Sequence, residues 1–505
     1  WVWPYRTVLG NRATFSGGTY FSEGRPWWEW HQISLRRFNP PESITFAFVA
    51  THNHFVVDNG GKVFNRSAQI IKLAAASPEN DYHGLTGLLN SSLACFWFKQ
   101  VCHNKGSTVD QHGARQRTDA FEDFYEYAGT VAGRFPLVAE RPTTIARRLH
   151  SLALERDLLL PKNILSIGVP TQDQLIGARS SAVSLRCQMI ALQEELDWQV
   201  YGLYGLVSEE LLFAGEPPPI HLGERAFEFV LAQDCANGSN ETTWFDRHGS
   251  QPLTELPFHW PADYKALVER RVVAIRQSRD LALIERPECK RRWAGAEWGL
   301  LEKSALEIWL LDRLEAQDLW PRDARPAPRL RSVRELVDTL SDDDEFRRAL
   351  DLYAGIGSDA HATIVALTQQ ASVPYLDAQR YSESGLRKRA IWRNTWLMQR
   401  REDAIDAEVA QRLAGEPTEA IKEEQARRKA AEVGAIPVPP KYKQDDYRDG
   451  VCWKLRGALD VPKERFVSFL GLERSNDAVS PMLLWAGYDA KARALALTGH
   501  LYEML

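Results

Sequence analysis

Short runs of β-branched and aromatic residues, separated by turn signals, dominate the first 140 residues of the chain. Runs of this composition are typical of strands, and glycine pairs between them favour tight turns. The runs are ITFAFVA at 44–50, HFVVD at 54–58 and KVFNRSAQIIKL at 62–73, with Asn59-Gly60-Gly61 between the last two. The pattern predicts a hairpin or a meander.

Apolar residues at helical spacing come next. Leucine and phenylalanine recur every three or four positions over 81–99, which predicts a helix, and EDFYEY at 122–127 predicts a strand or a short helix. Helical spacing continues after Pro142 in segments separated by Pro and Gly: 141–160, 180–206, 224–234, 262–279, 296–317 and 332–372. Charged helix formers at 400–434 predict one or two exposed helices, which IPVPPKY at 436–442 ends.

These elements predict an α+β fold with several domains, as the length of 505 residues also suggests. A mixed α/β domain comes first, a mainly α-helical C-terminal region follows, and a small C-terminal module closes the chain. We expect the mixed domain at 1–140, a helical connector at 141–215, a helical subdomain at 216–330, a basic and then charged helical segment at 331–435, and the small module at 436–505.

Composition narrows the function. The formal net charge of −5 is small for this length, so a site for a polyanion must be a local patch. Cys95, Cys102 and His103 lack a second pair of ligands, which argues against a metal site and favours buried thiols. The sequence has no run of 18 apolar residues and no signal-peptide pattern, so we expect a cytoplasmic protein without a membrane span. Because it starts at Trp1 rather than Met, we expect a piece of a longer polypeptide.

The stretch FNPPE at 38–42 imitates a catalytic motif. Amino-methyltransferases hold a flipped base with an Asn-Pro-Pro-aromatic loop, whose aromatic ring stacks on the base. Glu42 stands in the aromatic position here, and the two prolines favour an extended turn. The glycines of FSGG (15–18) and DNGG (58–61) do not lead from a buried strand into a helix, so we interpret them as turn glycines. We expect no catalytic residue in this chain.

The loop HNKGSTVDQHGARQRT at 103–118 has the composition of a DNA-reading segment. Arg, Asn, Gln, Ser and Thr read base edges, while Lys and backbone amides hold phosphates. The candidate DNA contacts are His103, Asn104, Lys105, Ser107, Gln111, Arg115, Gln116 and Arg117, with Lys62 and Arg66 of the preceding strands nearby. A solvated surface loop is the alternative interpretation.

A second basic segment, RYSESGLRKRAIWRNTWLMQRR at 380–401, carries seven basic residues against one glutamate. Such a helix can follow phosphates or dock an acidic partner. The candidates for these contacts are Arg387, Lys388, Arg389 and Arg393. The alternative is an ion-paired helix that packs on the acidic residues of 400–425.

Several long stretches, spread along the whole chain and in the same order as in one protein family, resemble the sequences of that family. They include THNHFVVDNGGKVFNRSAQIIKL (51–73), LQEELDWQVYGLYGL (192–206), IERPECKRRW (284–293) and SGLRKRAIWRNTWLMQRRED (384–403). The chain resembles the PglX family, the adenine-specific DNA methyltransferases of BREX phage-defence systems, and within it the type 2 branch.

The resemblance implies that different domains of the full-length protein bind the cofactor and recognise the DNA. Members of the family combine an N-terminal domain that binds S-adenosylmethionine, a target-recognition domain and a helical C-terminal region, and this sequence matches only the last two. It implies that 1–140 reads double-stranded DNA, that the full-length protein methylates adenine and marks host DNA as self, and that this chain alone binds no cofactor and is inactive. Other BREX proteins and phage inhibitor proteins are the further partners that it implies.

Two alternatives stay open. GLLNSS and LDWQVYGLYGL are shared more loosely with single-chain restriction-modification methylases that also cut DNA, and with the methylase of DISARM defence systems. A non-catalytic helical adaptor that docks other defence proteins is the second alternative.

Overall fold

The computed structural model describes residues 3–31, 42–74, 76–107, 119–321, 327–456, 462–473 and 479–504. The chain divides into a central unit, Leu35–Glu302, and a terminal unit that joins Trp1–Ser34 with Lys303–Leu505. Helix α1 (Arg6–Gly10) belongs to the terminal unit. Small sheets among many helices confirm the predicted α+β class. The finer division into five parts stays a prediction.

The described part of the central unit contains six short strands in two antiparallel sheets. They are β1 (Ser43–Ala47), β2 (Val49–Ala50), β3 (Phe55–Asp58), β4 (Ala68–Ile71), β5 (His103–Gly106) and β6 (Phe124–Glu126). One sheet has the order β3-β1-β4 and the other the order β2-β6-β5. The segment predicted as a strand or a short helix at 122–127 therefore contains a strand, β6.

Strand β1 is the middle strand of its sheet. Its buried Ile44 pairs with Val57 of β3 on one side and with Ile71 of β4 on the other. The predicted hairpin between the second and third runs is wrong, because β4 pairs with β1 and not with β3. The turn glycines themselves are confirmed, since Gly60 and Gly61 have φ of 95° and 79°.

The single helix predicted after the strands is two helices, α2 (Glu79–Leu89) and α3 (Ser92–Val101). Asn90 interrupts them because its side-chain amide exchanges two hydrogen bonds, of 2.9 and 2.8 Å, with the backbone of Phe55. Ser91 then caps α3 by accepting a hydrogen bond from a backbone amide of its first turn. The break fastens both helices to β3.

Of the other helices described in the central unit, the four longer ones lie in segments predicted to be helical, and the four short ones were not predicted. In chain order, these helices are α4 (Gly129–Ala132), α5 (Thr143–Leu158), α6 (Pro161–Leu165), α7 (Gln172–Leu203), α8 (Ala226–Ala236), α9 (Trp244–His248), α10 (Ala262–Gln277) and α11 (Arg279–Ile284). Helix α7 begins at Gln172, earlier than predicted, because Thr171 and Gln174 form a capping box. Helix α12 (Trp298–Leu314) contains the sequence boundary between the units.

The terminal unit has a sheet of order β7-β10-β9-β8, in which β8 and β9 are parallel. Its strands are β7 (Arg331–Ser332), β8 (Ser372–Pro374), β9 (Phe466–Ser468) and β10 (Met482–Trp485). Its remaining helices are α13 (Val333–Leu340), α14 (Asp344–Ala354), α15 (Ala360–Ala371), α16 (Asp377–Arg380), α17 (Glu383–Arg412), α18 (Thr418–Glu432), α19 (Gly450–Arg456) and α20 (Ala490–Met504). The segment predicted to be helical at 332–372 is thus three helices.

Helices α17 and α18 are joined mainly by charge. Helix α18 has no fully buried residue. The ion pairs between the two helices are Arg401–Glu432, Arg412–Glu424, Glu408–Arg428 and Asp406–Lys429. The helices predicted at 400–434 are therefore confirmed as the end of α17 and the whole of α18. The predicted exposure fits α18 alone, because α17 buries Glu402, Ile405 and Val409 there.

Cys95 and Cys102 are free and buried, as predicted. The residues that the structure describes contain no cluster of three or more metal-ligating side chains. Within the same ranges, no helix has both the length and the apolar character that crossing a membrane requires.

Candidate nucleic-acid interface

Strand β5 places three of the candidate DNA contacts at the surface. His103, Asn104 and Lys105 are exposed, and Ser107, just after the strand, is half-buried. The other candidates of this loop lie outside the described residues: Gln111, Arg115, Gln116 and Arg117. Residues 38–41 of the FNPPE stretch also lie outside them.

The carboxylate of Glu126 on β6 gathers basic residues from two segments. Lys105 Nζ lies 2.5 Å from Glu126 Oε2. The hydrogen bond from Lys105 lowers the pKa of Glu126, and the charges of His103 and Arg66 lower it further. The structure thus brings Lys105, His103 and Arg66 around one acid.

Asn104 is held by its neighbours. Its Nδ2 donates to Asp123 Oδ2 at 3.2 Å and to the hydroxyl of Tyr125 at 3.3 Å. Its Oδ1 accepts a 2.6 Å hydrogen bond from the amide of Gly106, whose φ of 72° lies in the left-handed region. The side-chain amide therefore has a fixed orientation at the surface.

Two basic residues, Lys62 and Arg66, lie between β3 and β4. Among the described contacts, only one made by Arg66 places a residue of this pair in this group. The Arg66 guanidinium lies 5.4 Å from the centre of the Phe48 ring, beside β2. Lys62 instead pairs with Asp58 of β3 at 3.4 Å, in the other sheet. No described contact joins Lys62 to β5.

Five further residues form a cluster that the sequence motifs did not indicate as a site. Lys99, Arg291 and Arg292 lie close enough to His52 and His54 for their charges to lower the pKa of these histidines. We call these five residues the cation cluster. The stretches THNH and IERPECKRRW carried the family resemblance, and they were the available sequence signal.

The cation cluster is continuous with β5 through Tyr125. Lys99 Nζ lies 4.9 Å from the centre of the Tyr125 ring, and it has no hydrogen-bond acceptor among the described residues. The hydroxyl of the same tyrosine contacts Asn104. Tyr125 therefore links the buried Lys99 Nζ of the cluster to the predicted contacts on β5.

The two arginines of the cluster have no acidic partner within ion-pair distance among the described residues. Arg292 donates a hydrogen bond to the Thr51 hydroxyl, and the Arg291 guanidinium lies 4.8 Å from the Trp293 ring. Burial lowers the pKa of Arg291 to about 10. Both side chains stay charged at neutral pH, so this surface has positive charge available for an anion such as a phosphate.

Because the pKa values of His52 and His54 are lowered, we expect acid to destabilise the central unit. Burial, then Arg291 and Arg292, lowers the pKa of His54 from 6.5 to about 4. Because the folded pKa is the lower one, the stability that His54 contributes is complete above pH 6.5 and is lost as the pH falls toward 4. At about pH 5 the loss should be about 2 kcal/mol. Urea unfolding at about pH 7.5 and about pH 5 measures it.

The matched variants are His54→Asn and His259→Asn, because His259 is exposed. His54→Asn should flatten the dependence of unfolding free energy on pH, and His259→Asn should leave it unchanged. Equal pH dependence in the wild type and His54→Asn would contradict the assignment. His52 acts in the same direction, since burial and then Lys99 lower its pKa.

The four candidate residues on α17 each have an acidic partner. Arg387 pairs with Glu383, Lys388 with Asp446, and Arg389 and Arg393 with Asp377. Arg389 and Arg393 also line a cavity of the terminal unit, whereas Arg387 and Lys388 do not. Their role in phosphate or partner contacts stays a prediction.

The described residues do not form the S-adenosylmethionine site expected of a doubly wound α/β fold. In that fold, nucleotide-like cofactors bind where a parallel strand leads through a glycine turn into a helix. The parallel strands among the described residues are β8 and β9, and neither continues through such a turn into a helix. No chemical step through this cofactor is therefore assigned to these residues.

Small sheets among many long helices define an α+β protein. The chain belongs to the family described as Domain of unknown function (DUF7008), which matches residues 189–504. It is also 45% identical, over 503 residues, to the adenine-specific methyltransferase PglX of Streptomyces coelicolor. That match covers 98% of this chain and 40% of the relative, so the chain spans less than half of the relative's length. No solved structure matches the chain. The resemblance inferred from the motifs is confirmed.

Proposed function

We propose that this chain is the target-recognition and C-terminal portion of an adenine-specific, adenosylmethionine-dependent DNA methyltransferase of a BREX-type phage-defence system. The 45% identity with PglX over nearly the whole chain carries the proposal. In the full-length protein, methylation of adenine in a short asymmetric site marks host DNA as self.

Within this proposal, the interface divides DNA binding into two tasks. Arg291 and Arg292 hold phosphates, because neither guanidinium has an acidic partner within ion-pair distance among the described residues. His103 and Asn104 on β5 present ring and amide groups suited to base edges. The cation cluster therefore supplies affinity, and β5 with its loop supplies sequence preference.

Methyl transfer belongs to another domain of the longer polypeptide in this proposal. S-adenosylmethionine supplies the methyl group there, and the target adenine leaves the duplex to reach it. This chain is inactive by itself and positions the duplex. We place the protein in the cytoplasm, with other BREX proteins and phage inhibitor proteins as partners besides DNA.

Sequencing of methylated adenines tests the activity in a host that carries the full-length gene. We expect one short asymmetric site to be methylated throughout the genome and to lose methylation when the gene is deleted. A genome without such a site contradicts the proposal. Magnesium-dependent cleavage of DNA by the full-length protein would instead favour a single-chain restriction-modification enzyme.

Removal of a phosphate contact should weaken binding to every duplex alike. Arg291→Gln and Arg292→Gln should each lower the salt slope of duplex binding by about 1, because each variant releases one fewer counter-ion. Fluorescence anisotropy at a series of salt concentrations measures the slope. Arg148→Gln is the control, since Arg148 is an exposed residue of α5 that pairs with Glu216. Unchanged slopes in both cluster variants would refute the phosphate role.

Removal of a base contact should change sequence preference instead. Asn104→Ala should cost about 1–3 kcal/mol on the methylated site and relax one position of it, with little change in salt slope. Competition between the site and single-base variants of it measures the preference. A uniform loss on all sequences would show that Asn104 does not read a base.

A further inference from the structure

A cavity of about 500 Å³ lies in the terminal unit, where the end of β8 meets α16, α17, α19 and α20. Five arginines and two acids line it: Arg380, Arg389, Arg393, Arg456 and Arg493, with Asp377 and Glu464. Its volume is within the range of ligand-binding pockets. The lining has a clear excess of positive charge.

The two acids are already engaged with three of the arginines. Asp377 Oδ2 lies 3.3 Å from Arg389 Nε and 2.5 Å from Arg393 Nη2. Glu464 pairs with Arg456, and both are mostly buried. Arg380 and Arg493, the other two arginines, form no described ion pair with the acids of the lining.

Arg380 and Arg493 donate to neutral oxygens. Arg380 Nη2 lies 2.7 Å from the carbonyl oxygen of Pro374, and Arg493 donates to the carbonyls of Tyr488 at 2.8 Å and Ala486 at 2.6 Å. Arg380 is only 4% exposed, and its Nε has no acceptor among the described residues. Burial, then the positive charge of Arg456, lowers the pKa of Arg493. An anion in the cavity would relieve this repulsion and satisfy the guanidinium donors.

Aromatic faces lie beside these cations. Trp396 and Tyr375 line the cavity, and each is 39% exposed. Tyr375 is fixed by stacking on Phe469, with ring centres 4.9 Å apart. Exposed, oriented rings beside guanidinium groups are suited to stacking a nucleobase.

We propose that this cavity binds a nucleoside phosphate, with the phosphate on Arg380 and Arg493 and the base against Trp396 or Tyr375. A carboxylate or sulfate would use the arginines but not the rings, whereas a nucleoside phosphate uses both. The proposal does not rest on DNA recognition by the central unit. A free nucleotide and a nucleotide of a single DNA strand share the required chemistry.

Calorimetric titration of the whole chain with AMP, ATP, adenosine and inorganic phosphate tests the proposal. Saturable binding of AMP or ATP is expected, with adenosine and phosphate each at least about tenfold weaker, because each lacks one of the two recognised groups. Phosphate that binds as tightly as AMP would show a general anion site and overturn the proposal. The absence of nucleotide binding up to about 10 mM would also overturn it.

Variants locate the binding in this cavity. Arg493→Gln and Arg393→Gln should weaken AMP binding by about 10–100-fold, since each removes a guanidinium group with its positive charge and its hydrogen-bond donors. The Arg393 side chain is 68% exposed, so Arg393→Gln keeps the test valid if Arg493→Gln fails to fold. Arg412→Gln removes the same charge from the same helix outside the cavity, and it should bind AMP normally. Wild-type affinity in both cavity variants would overturn the proposal.

Two more measurements separate the base from the phosphate and identify the source of the nucleotide. Trp396→Ala and Tyr375→Ala combined should weaken AMP binding while leaving phosphate binding unchanged, and equal losses for both ligands would refute base stacking. A short single-stranded oligonucleotide that displaces AMP would support a DNA strand as the source. Failure to displace AMP would support a free nucleotide.

Discussion

Replacement of Lys290 by methionine should lower the unfolding free energy of the central unit by about 3–5 kcal/mol, because it leaves buried carboxylates without their cation. The side chain of Lys290 is 1% exposed. Its Nζ lies 2.9 Å from Asp197 Oδ2, 2.8 Å from Glu285 Oε1 and 3.9 Å from Glu194 Oε2. No water can replace the lost charge readily at so buried a position.

Helix α7 carries two of the three acids around Lys290, and its Tyr201 contacts the third, Glu285. Glu194, Asp197 and Tyr201 follow helical spacing on one face of that helix, and the Tyr201 hydroxyl donates to Glu285. Burial alone would lower the pKa of Lys290, but the surrounding carboxylates raise it above its ordinary value. Because the folded pKa is the higher one, this contribution is complete below about pH 10.4 and is lost only above it. The destabilisation should therefore be visible at neutral pH.

Urea unfolding and hydrogen exchange of the α7 amides measure the effect, the second because it reports on the central unit alone. Lys162→Met is the control, since Lys162 is exposed and lies 4.0 Å from Asp157. It should change stability by less than about 0.5 kcal/mol. Lys290→Met combined with Asp197→Asn should be less damaging than the two losses added together, because the second change removes an unpaired charge. Near wild-type stability of Lys290→Met would contradict the proposed cost.

Replacement of Gly385 by alanine should destabilise the terminal unit by about 2–3 kcal/mol, because a Cβ atom has no room there. Gly385 is buried near the start of α17, and an added Cβ would collide with the backbone carbonyl oxygen of Asp446. A backbone atom cannot move aside as a flexible side chain can. The same carbonyl accepts a 2.9 Å hydrogen bond from the amide of Ser382, so the contact is fixed from both sides.

The turn at Asp446 should be displaced in this variant together with its polar contacts. Ser384 Oγ donates to Asp446 Oδ1 at 2.8 Å, and Lys388 pairs with the same carboxylate. Gly499→Ala is the matched control, because Gly499 lies in α20 with no atom near the added Cβ. This control should keep or slightly raise stability, since alanine favours helix over glycine. Thermal unfolding compares the two, and equal midpoints would refute the steric account.

Helices were the more predictable part of this fold. Apolar residues at three- and four-residue spacing located α5, α7, α8 and α10, and in α10 the buried residues from Tyr264 to Ile275 recur at that spacing. The break between α2 and α3 was not predicted, since it depends on hydrogen bonds from Asn90 to a strand elsewhere in the sequence. The strand order was not predicted either, because β4 pairs with β1 and not with β3, the strand that precedes it in sequence.

The candidate site was predictable only where it is continuous in sequence. Residue type in one loop indicated His103, Asn104 and Lys105, and the structure places them together on β5. Lys99 and Arg292 come from distant segments, and their proximity follows from packing. Whether a basic residue is compensated likewise depends on contacts, as Lys62 with its nearby Asp58 illustrates.

The joining of α17 and α18 through charge has a consequence for how firmly α18 is attached. Helix α18 has no buried apolar anchor, so added salt should loosen it from α17 while the packed cores of the unit keep their structure. Hydrogen bonds from Arg427 and from Arg412 of α17 lower the pKa of Glu424 to about 2, and those from Arg428 and from Arg401 of α17 lower the pKa of Glu432 to about 2. The pairs of α17 with these two glutamates should therefore persist in moderate acid. The region from 401 to 432 would thus respond to ionic strength far more than to pH, and α18 is the segment of this unit that a change of ionic environment would release first.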